Sequence, residues 1–216
     1  MWRILLTEMK NNLANLIKNK QTLIFDLDGT IANTEVLHWE AYNQLLGAYN
    51  VCLTNNDIAK YIGKTEWQIY KMIKADFNID FDEQQFIYER HKIYLSLVKN
   101  KNLQTFKYFN EVINLDKKFY LLSSQDYNII INTLTHLNIL NKFAKLVSLA
   151  DVSLKKSDYL SDIKKYYDTT IDDVVLFEDA VVTLAFAKKQ GIATVGISHT
   201  FNHLTSDCCD IIIKND

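Results

Sequence analysis

The chain has 216 residues, of which 48% are hydrophobic and 23% charged, with a formal net charge of −2. That length can bury a substantial core, as one domain plus a smaller insert, and the composition is that of an ordinary soluble globular protein. The balanced charge gives no polybasic surface, so nucleic acid is not an implied partner; no apolar run approaches the ~20 residues of a membrane span.

Cys52, Cys208 and Cys209 are the three cysteines. Their odd, sparse count provides no disulfide framework and points to a cytoplasmic chain. The Cys208-Cys209 pair precedes the apolar run Ile211-Ile212-Ile213 and reads as packing at a strand edge, since no histidine or further cysteine stands at metal-ligand spacing. Proline is absent and arginine occurs only at Arg3 and Arg90. This bias removes residues that a motif would otherwise contain.

In chain order, Leu5, Met9, Leu13, Leu16 and Ile17 recur at helical spacing. They predict an amphipathic helix within residues 1–20 whose apolar face packs on the domain or, alternatively, on a second subunit. Leu23-Ile24-Phe25 then reads as a short buried strand. From Thr34 to Phe106 the apolar residues fall at helical intervals, as in Val36, Leu37, Ala41, Leu45 and Leu46, with breaks near Gly47-Ala48 and around Phe77 to Asp82. A stretch of this length is too long for a loop and predicts an inserted helical subdomain. From Lys118 the pattern becomes alternating. Strands are predicted at Phe119 to Leu122, Lys145 to Val147, Val174 to Phe177, Ala193 to Val195 and Ile211 to Ile213. Helices are predicted between them, one beginning at Ser124-Gln125, one from about Ser157 to Tyr167, and one running through Leu184 to Lys189 and ending at Gly191 as its C-cap. Such alternation implies right-handed crossovers and a largely parallel sheet covered on both faces.

The first strand runs into Asp26-Leu27-Asp28-Gly29-Thr30. The C-terminal edge of an open α/β sheet is where ligands bind, and strand packing gives no reason for two carboxylates there. A carboxylate pair beside a glycine can hold a divalent cation, attack phosphorus and move a proton. Three further positions converge on that edge. Ser123 ends the second strand, with Ser124 after it, where a hydroxyl beside free helix amides suits a phosphate. Lys155 and Lys156 precede a helix and can supply a fixed positive charge. Glu178-Asp179 follows the strand Val174 to Phe177 and repeats the acidic arrangement of the first.

In this order the residues resemble the haloacid dehalogenase-like hydrolase superfamily, from Thr22 to about Ile213. Phe25-Asp26-Leu27-Asp28-Gly29-Thr30 resembles its first motif, the strand ending in Ser123 its second, Lys156 its third and Phe177-Glu178-Asp179 its fourth. The insert after the first motif is similar to the α-helical class I cap of phosphoglycolate phosphatase-like enzymes and β-phosphoglucomutase. Two departures stand out. No proline follows the motif-three lysine, which leaves Lys155 as an alternative to Lys156, and Ala180 replaces the usual serine or threonine after the acidic pair.

The resemblance implies a Rossmann-like parallel-sheet core from residues 1–33 and 107–216, with a cap formed by residues 34–106. It implies that Asp26 is the nucleophile that forms an aspartyl-phosphate, and that Asp28 is the acid and then the base. Mg²⁺ would be held by the Asp26 carboxylate, the Asp28 backbone carbonyl and Asp179, with Glu178 reaching it through water. Ser123, Ser124 and Lys156 would hold the phosphoryl oxygens. His38, Lys64 and Arg90 are candidate contacts to the leaving group. The expected activity is a Mg²⁺-dependent phosphatase acting on a small phosphorylated metabolite. The alternatives are β-phosphoglucomutase-like transfer, against which Glu66 argues where the mutases carry an arginine, and a catalytically idle binding protein.

Overall fold

The computed structural model describes residues 11–61, 64–150, 154–200 and 202–214. Six parallel strands form one sheet in the order β3-β2-β1-β4-β5-β6. They are β1 (Thr22–Phe25), β2 (Lys118–Ser123), β3 (Phe143–Ser148), β4 (Val174–Glu178), β5 (Ala193–Ser198) and β6 (Ile211–Lys214). The order reverses beside β1, so β1 and β4 flank the crevice where an open parallel sheet binds ligands.

Side-chain alternation along β1 explains why the sheet is covered on both faces. Leu23 and Phe25 enter one core with Leu121, Val175 and Phe177, and Ile24 enters the other with Leu122, Val174 and Leu176. The first core is closed by α1 (helical over residues 11–17), α6 (Lys107–Val112) and α7 (Tyr127–His136) through Leu13, Ile17, Tyr108, Phe109, Ile130 and Leu134. The second is closed by α8 (Lys156–Ser161), α9 (Ile163–Tyr167) and α10 (Val181–Lys189) through Leu160, Ile163, Tyr167 and Ala187. Leu13 and Ile17 of the predicted N-terminal helix thus pack on the sheet, whereas its Leu5 and Met9 lie outside the described residues.

Four helices stand between β1 and α6: α2 (Glu35–Leu46), α3 (Asn55–Tyr61), α4 (Glu66–Asp76) and α5 (Glu83–Asn100). They pack around an aromatic cluster of their own that includes Trp39, Tyr42, Tyr61, Tyr70 and Phe86. The chain breaks where Asn50 and Asn78 adopt the left-handed conformation. Asparagine tolerates that region better than most residues, and these breaks fall near those expected at Gly47-Ala48 and Phe77 to Asp82.

Two helix boundaries differ from the sequence reading. The helix after β2 begins at Tyr127 rather than at Ser124-Gln125, because Asp126 is its cap and its carboxylate accepts from Asn128 N and Ile129 N. The predicted Ser157–Tyr167 helix is two short helices. Asp162 leaves helical geometry between them (φ −133°, ψ 65°) and its side chain caps α9. Both corrections have one cause, an aspartate whose local hydrogen bond outcompetes helix continuation.

Candidate active site

The edge formed by β1 and β4 collects charge. Phe25 and Phe177 pair in register and stack at 4.4 Å, and Asp26 N donates to Phe177 O at 3.0 Å. This sets the chain that follows β1 directly against the acidic end of β4. Asp26, Asp28, Ser123 and Glu178 are all buried. Lys156, from the first turn of α8, reaches in beneath them. Its Nζ donates to Asp26 Oδ1 at 2.6 Å and to the two oxygens of Glu178 at 3.1 and 2.8 Å. Lys155 is exposed, and Lys156 is the lysine that enters the site.

The electrostatics of this edge are unbalanced. Burial raises the Asp26 carboxyl well above its ordinary value; Lys156 opposes that shift, and Glu178, Asp179 and Asp28 add to it. Burial also pushes Glu178 up to about 7 despite its bond to the lysine. Burial disfavours the Lys156 ammonium, yet Asp26 and Glu178 hold its charge and raise its pKa. Lys156 therefore answers only part of the acidic charge. Among the described residues, carboxylate oxygens of Asp26, Glu178 and Asp179 lie within 4.8 Å of one another. An all-oxygen donor set carrying surplus negative charge fits a hard divalent cation such as Mg²⁺.

Asp28 sits in different company. Thr34 Oγ1 donates to its Oδ1 at 2.5 Å, and His38 Nε2 lies 3.0 Å from the same oxygen. Burial would raise its pKa, but contacts with His38, Thr34 and Gln125 outweigh burial and lower it. Behind His38 stands Arg90 of α5, whose Nη1 is 2.8 Å from His38 Nδ1. A guanidinium only donates, so Nδ1 accepts and the ring proton rests on Nε2, facing Asp28. Arg90 Nε in turn pairs with Glu66 Oε1 at 2.5 Å, and His91 Nε2 meets Glu66 Oε2 at 2.9 Å. The guanidinium also lies over Tyr42 (5.3 Å), and His38 stacks on Tyr94 at 4.1 Å. An unbroken polar chain thus runs from Asp28 through His38 and Arg90 to Glu66 at the start of α4.

Asp26, Asp28, Ser123, Lys156, Glu178 and Asp179 come together at one sheet edge, and His38 joins them through Asp28. Ser123 Oγ accepts from Gln125 N at 3.1 Å. Ser124 and Lys64 are exposed, and Gly63 lies outside the described residues. Sequence reasoning missed Thr34, Gln125, His199 and Asn202. His199 directly follows β5 and its Nε2 is 2.8 Å from Asp179 Oδ2, while Asn202 Nδ2 donates to Asp179 O at 2.9 Å. The available signal was positional, because a histidine just past a parallel strand adjacent to the acidic one falls on the same edge.

This fold has known counterparts. The family model for haloacid dehalogenase-like hydrolases matches residues 23–197, and the chain belongs to that family of enzymes. It is 24% identical over 189 residues to a phosphorylated carbohydrates phosphatase of Thermotoga maritima, covering 84% of this chain and 87% of that one. Among solved structures it resembles CbbY from Rhodobacter sphaeroides in complex with phosphate, at a TM-score of 0.76 and 15% identity, over 90% of this chain and 93% of the other. A putative β-phosphoglucomutase from Thermotoga maritima aligns at a TM-score of 0.72 and 20% identity, over 90% and 94% respectively.

Proposed function

We propose that the chain is a Mg²⁺-dependent phosphatase of small phosphomonoesters that works through an aspartyl-phosphate on Asp26. The observation that carries this reading is the buried Asp26 carboxylate at the sheet's switch point, bonded to Lys156 and grouped with Asp179 and Glu178. When bound, Mg²⁺ would be held by the Asp26 carboxylate, the Asp28 carbonyl and Asp179, with Glu178 at one remove, and would keep Asp26 ionised while neutralising phosphoryl charge.

In the first half-reaction Asp26 forms a bond to phosphorus as the ester oxygen leaves, and Asp28 gives that oxygen a proton. In the second, Asp28 takes a proton from the water that attacks the aspartyl-phosphate, which releases phosphate and restores Asp26. Lys156 and Ser123 hold the phosphoryl oxygens. The contacts that lower the Asp28 pKa hold it ionised, the protonation state in which the base half begins. An arriving phosphoryl anion raises that pKa by like-charge proximity, which suits the acid half. The His38 Nε2–H and the Thr34 hydroxyl keep the Asp28 carboxyl oriented through both.

Residues 34–106 would act as the cap over the leaving group. At its inner wall Arg90 is 2% exposed and its guanidinium is committed to Glu66 and His38. A second phosphate on the substrate would meet the Glu66 carboxylate with that arginine already engaged. This favours hydrolysis of a monoester whose leaving group is neutral and hydroxyl-bearing, such as a sugar phosphate, over the mutase reaction. The name of the Thermotoga maritima relative agrees with that substrate class.

The test is phosphate release from a panel of sugar, polyol, nucleoside and carboxylate monophosphates, with and without Mg²⁺, using Asp26→Asn as the control. The expected result is Mg²⁺-dependent release, lost in the variant and greatest for sugar or polyol esters. No release from any ester, or release unchanged in Asp26→Asn, would overturn the reading. Isomerisation of β-glucose 1-phosphate without net release would replace it with the mutase.

A further inference from the structure

The loop between β5 and β6 is built around Asp179. Glu178 pairs in register with Gly196, so the residues just past β5 stand beside those just past β4. His199 Nε2 lies 2.8 Å from Asp179 Oδ2, with the two side chains only 8% and 16% exposed. An ionised carboxylate only accepts, so the imidazole N–H is the donor. Asn202 fixes the loop in this position. Its Nδ2 donates to Asp179 O and to Ile197 O, both at 2.9 Å, and its Oδ1 accepts from His199 N at 3.0 Å.

Gly29 provides the room. It has φ +69°, and a Cβ there would come within 2.7 Å of both Asp179 Oδ2 and His199 Nε2. The turn after β1 therefore packs against the Asp–His pair with no side chain between. The helix that follows Asp179 starts at Val181, and its N-cap residue, Ala180, supplies no side-chain hydrogen bond. The orienting bond that a serine or threonine hydroxyl could supply from that position comes here from the opposite loop.

We infer that His199 is a positioning residue for the cation site: it occupies one oxygen of Asp179, fixes the rotamer and leaves the other oxygen as a single-point ligand beside Asp26. The inference rests on the Mg²⁺-dependent reading above. A hydrogen-bonded carboxylate ligand loses no rotamer freedom when the cation arrives, and removing such an outer partner typically lowers metal affinity 10–100-fold.

The test is calorimetric titration of the metal-free, full-length protein with MgCl₂, for the wild type, His199→Leu, His199→Gln and Asp179→Asn, with thermal unfolding of each metal-free protein as the folding control. The wild type is expected to bind and Asp179→Asn to lose binding. His199→Leu should bind roughly 10–100-fold more weakly, and His199→Gln, which keeps an N–H donor at similar reach, should recover most of the affinity. If His199→Leu does not fold, the Gln variant still tests the role, since a roughly 10–100-fold loss of affinity in it would overturn the inference. Wild-type affinity in His199→Leu alongside lost binding in Asp179→Asn would overturn the role of His199 and leave the phosphatase reading standing. No Mg²⁺ binding by the wild type would overturn the metal reading itself, and the inference with it. Nitrogen hyperfine coupling to bound Mn²⁺ that disappears in His199→Gln would make His199 a ligand and overturn its role as a positioning residue.

Discussion

Two charge clusters, one buried and one partly exposed, meet at Asp28, and they are balanced in opposite ways. At the sheet edge, Asp26, Glu178 and Asp179 face Lys156 and leave negative charge unanswered. In the helical insert, Arg90 is matched by Glu66, with His38 and His91 completing the set. A buried surplus is expensive unless something binds there, whereas a matched pair asks for no ligand. In the reading proposed above, the imbalance is where phosphate chemistry and a cation would belong. In the same reading, the balanced cluster would be a wall that positions Asp28 and offers no free charge to the substrate.

The sharpest way to break this contrast is at the unbalanced cluster. Asp26→Asn should keep the fold, because the amide is isosteric, and should lower kcat by ~10⁴-fold or more in a phosphate-release assay. Lys156→Met removes the cation that serves both Asp26 and Glu178. It should cost ~10³-fold in kcat/KM. By chemical denaturation it should also cost roughly 3 kcal/mol of stability, because Glu178 is left buried without its partner.

At the balanced cluster the effects should be smaller and separable. Arg90→Met should lower kcat by ~10-fold, as His38 loses its fixed tautomer, and stability by about 2 kcal/mol, discounted because Glu66 is partly exposed. Adding Glu66→Met should recover most of that stability without recovering activity. A double-mutant cycle read on both stability and kcat measures the difference.

The smallest effect is one of pH. Burial would raise the Glu66 carboxyl, but Arg90 and then His91 outweigh it and hold the pKa below the ordinary glutamate value of 4.5. A depressed folded pKa contributes stability above the unfolded value and loses it as pH falls through the folded one. Between pH 5 and the acid transition, unfolding free energy should therefore decline more steeply for the wild type than for Glu66→Gln. Parallel curves would show that the pair contributes nothing to pH stability.

Much of this was legible in the residues. A three-residue apolar run, Leu23-Ile24-Phe25, ending in Asp-x-Asp-Gly-Thr announced a buried strand delivering carboxylates to a sheet edge. Strand and helix periods predicted the alternating parallel core, because side chains alternate along a strand and recur each turn of a helix whatever lies further along the chain. The Glu178-Asp179 pair was readable for the same reason. Helix boundaries were less so. At Asp126 and Asp162 a side-chain cap competes with continuation, and the margin is about 1 kcal/mol, too small for pattern to decide.

Pairing between distant segments was not legible at all. Local pattern favoured Lys156 over Lys155 only weakly, and the approach of α8 to β1 decides it. Arg90 and Glu66 read separately as a candidate contact and a repulsive charge; folded together they neutralise each other, 24 positions apart, and reach Asp28 through His38. His199 carried no motif, and only the adjacency of β4 and β5 brings it to Asp179. The sequence by itself determined which elements form and which chemistry they carry, since both follow from short-range periodicity and residue type. Tertiary structure decided which charges cancel and which stay open, because Coulomb and hydrogen-bond terms act over a few ångströms of space rather than along the chain.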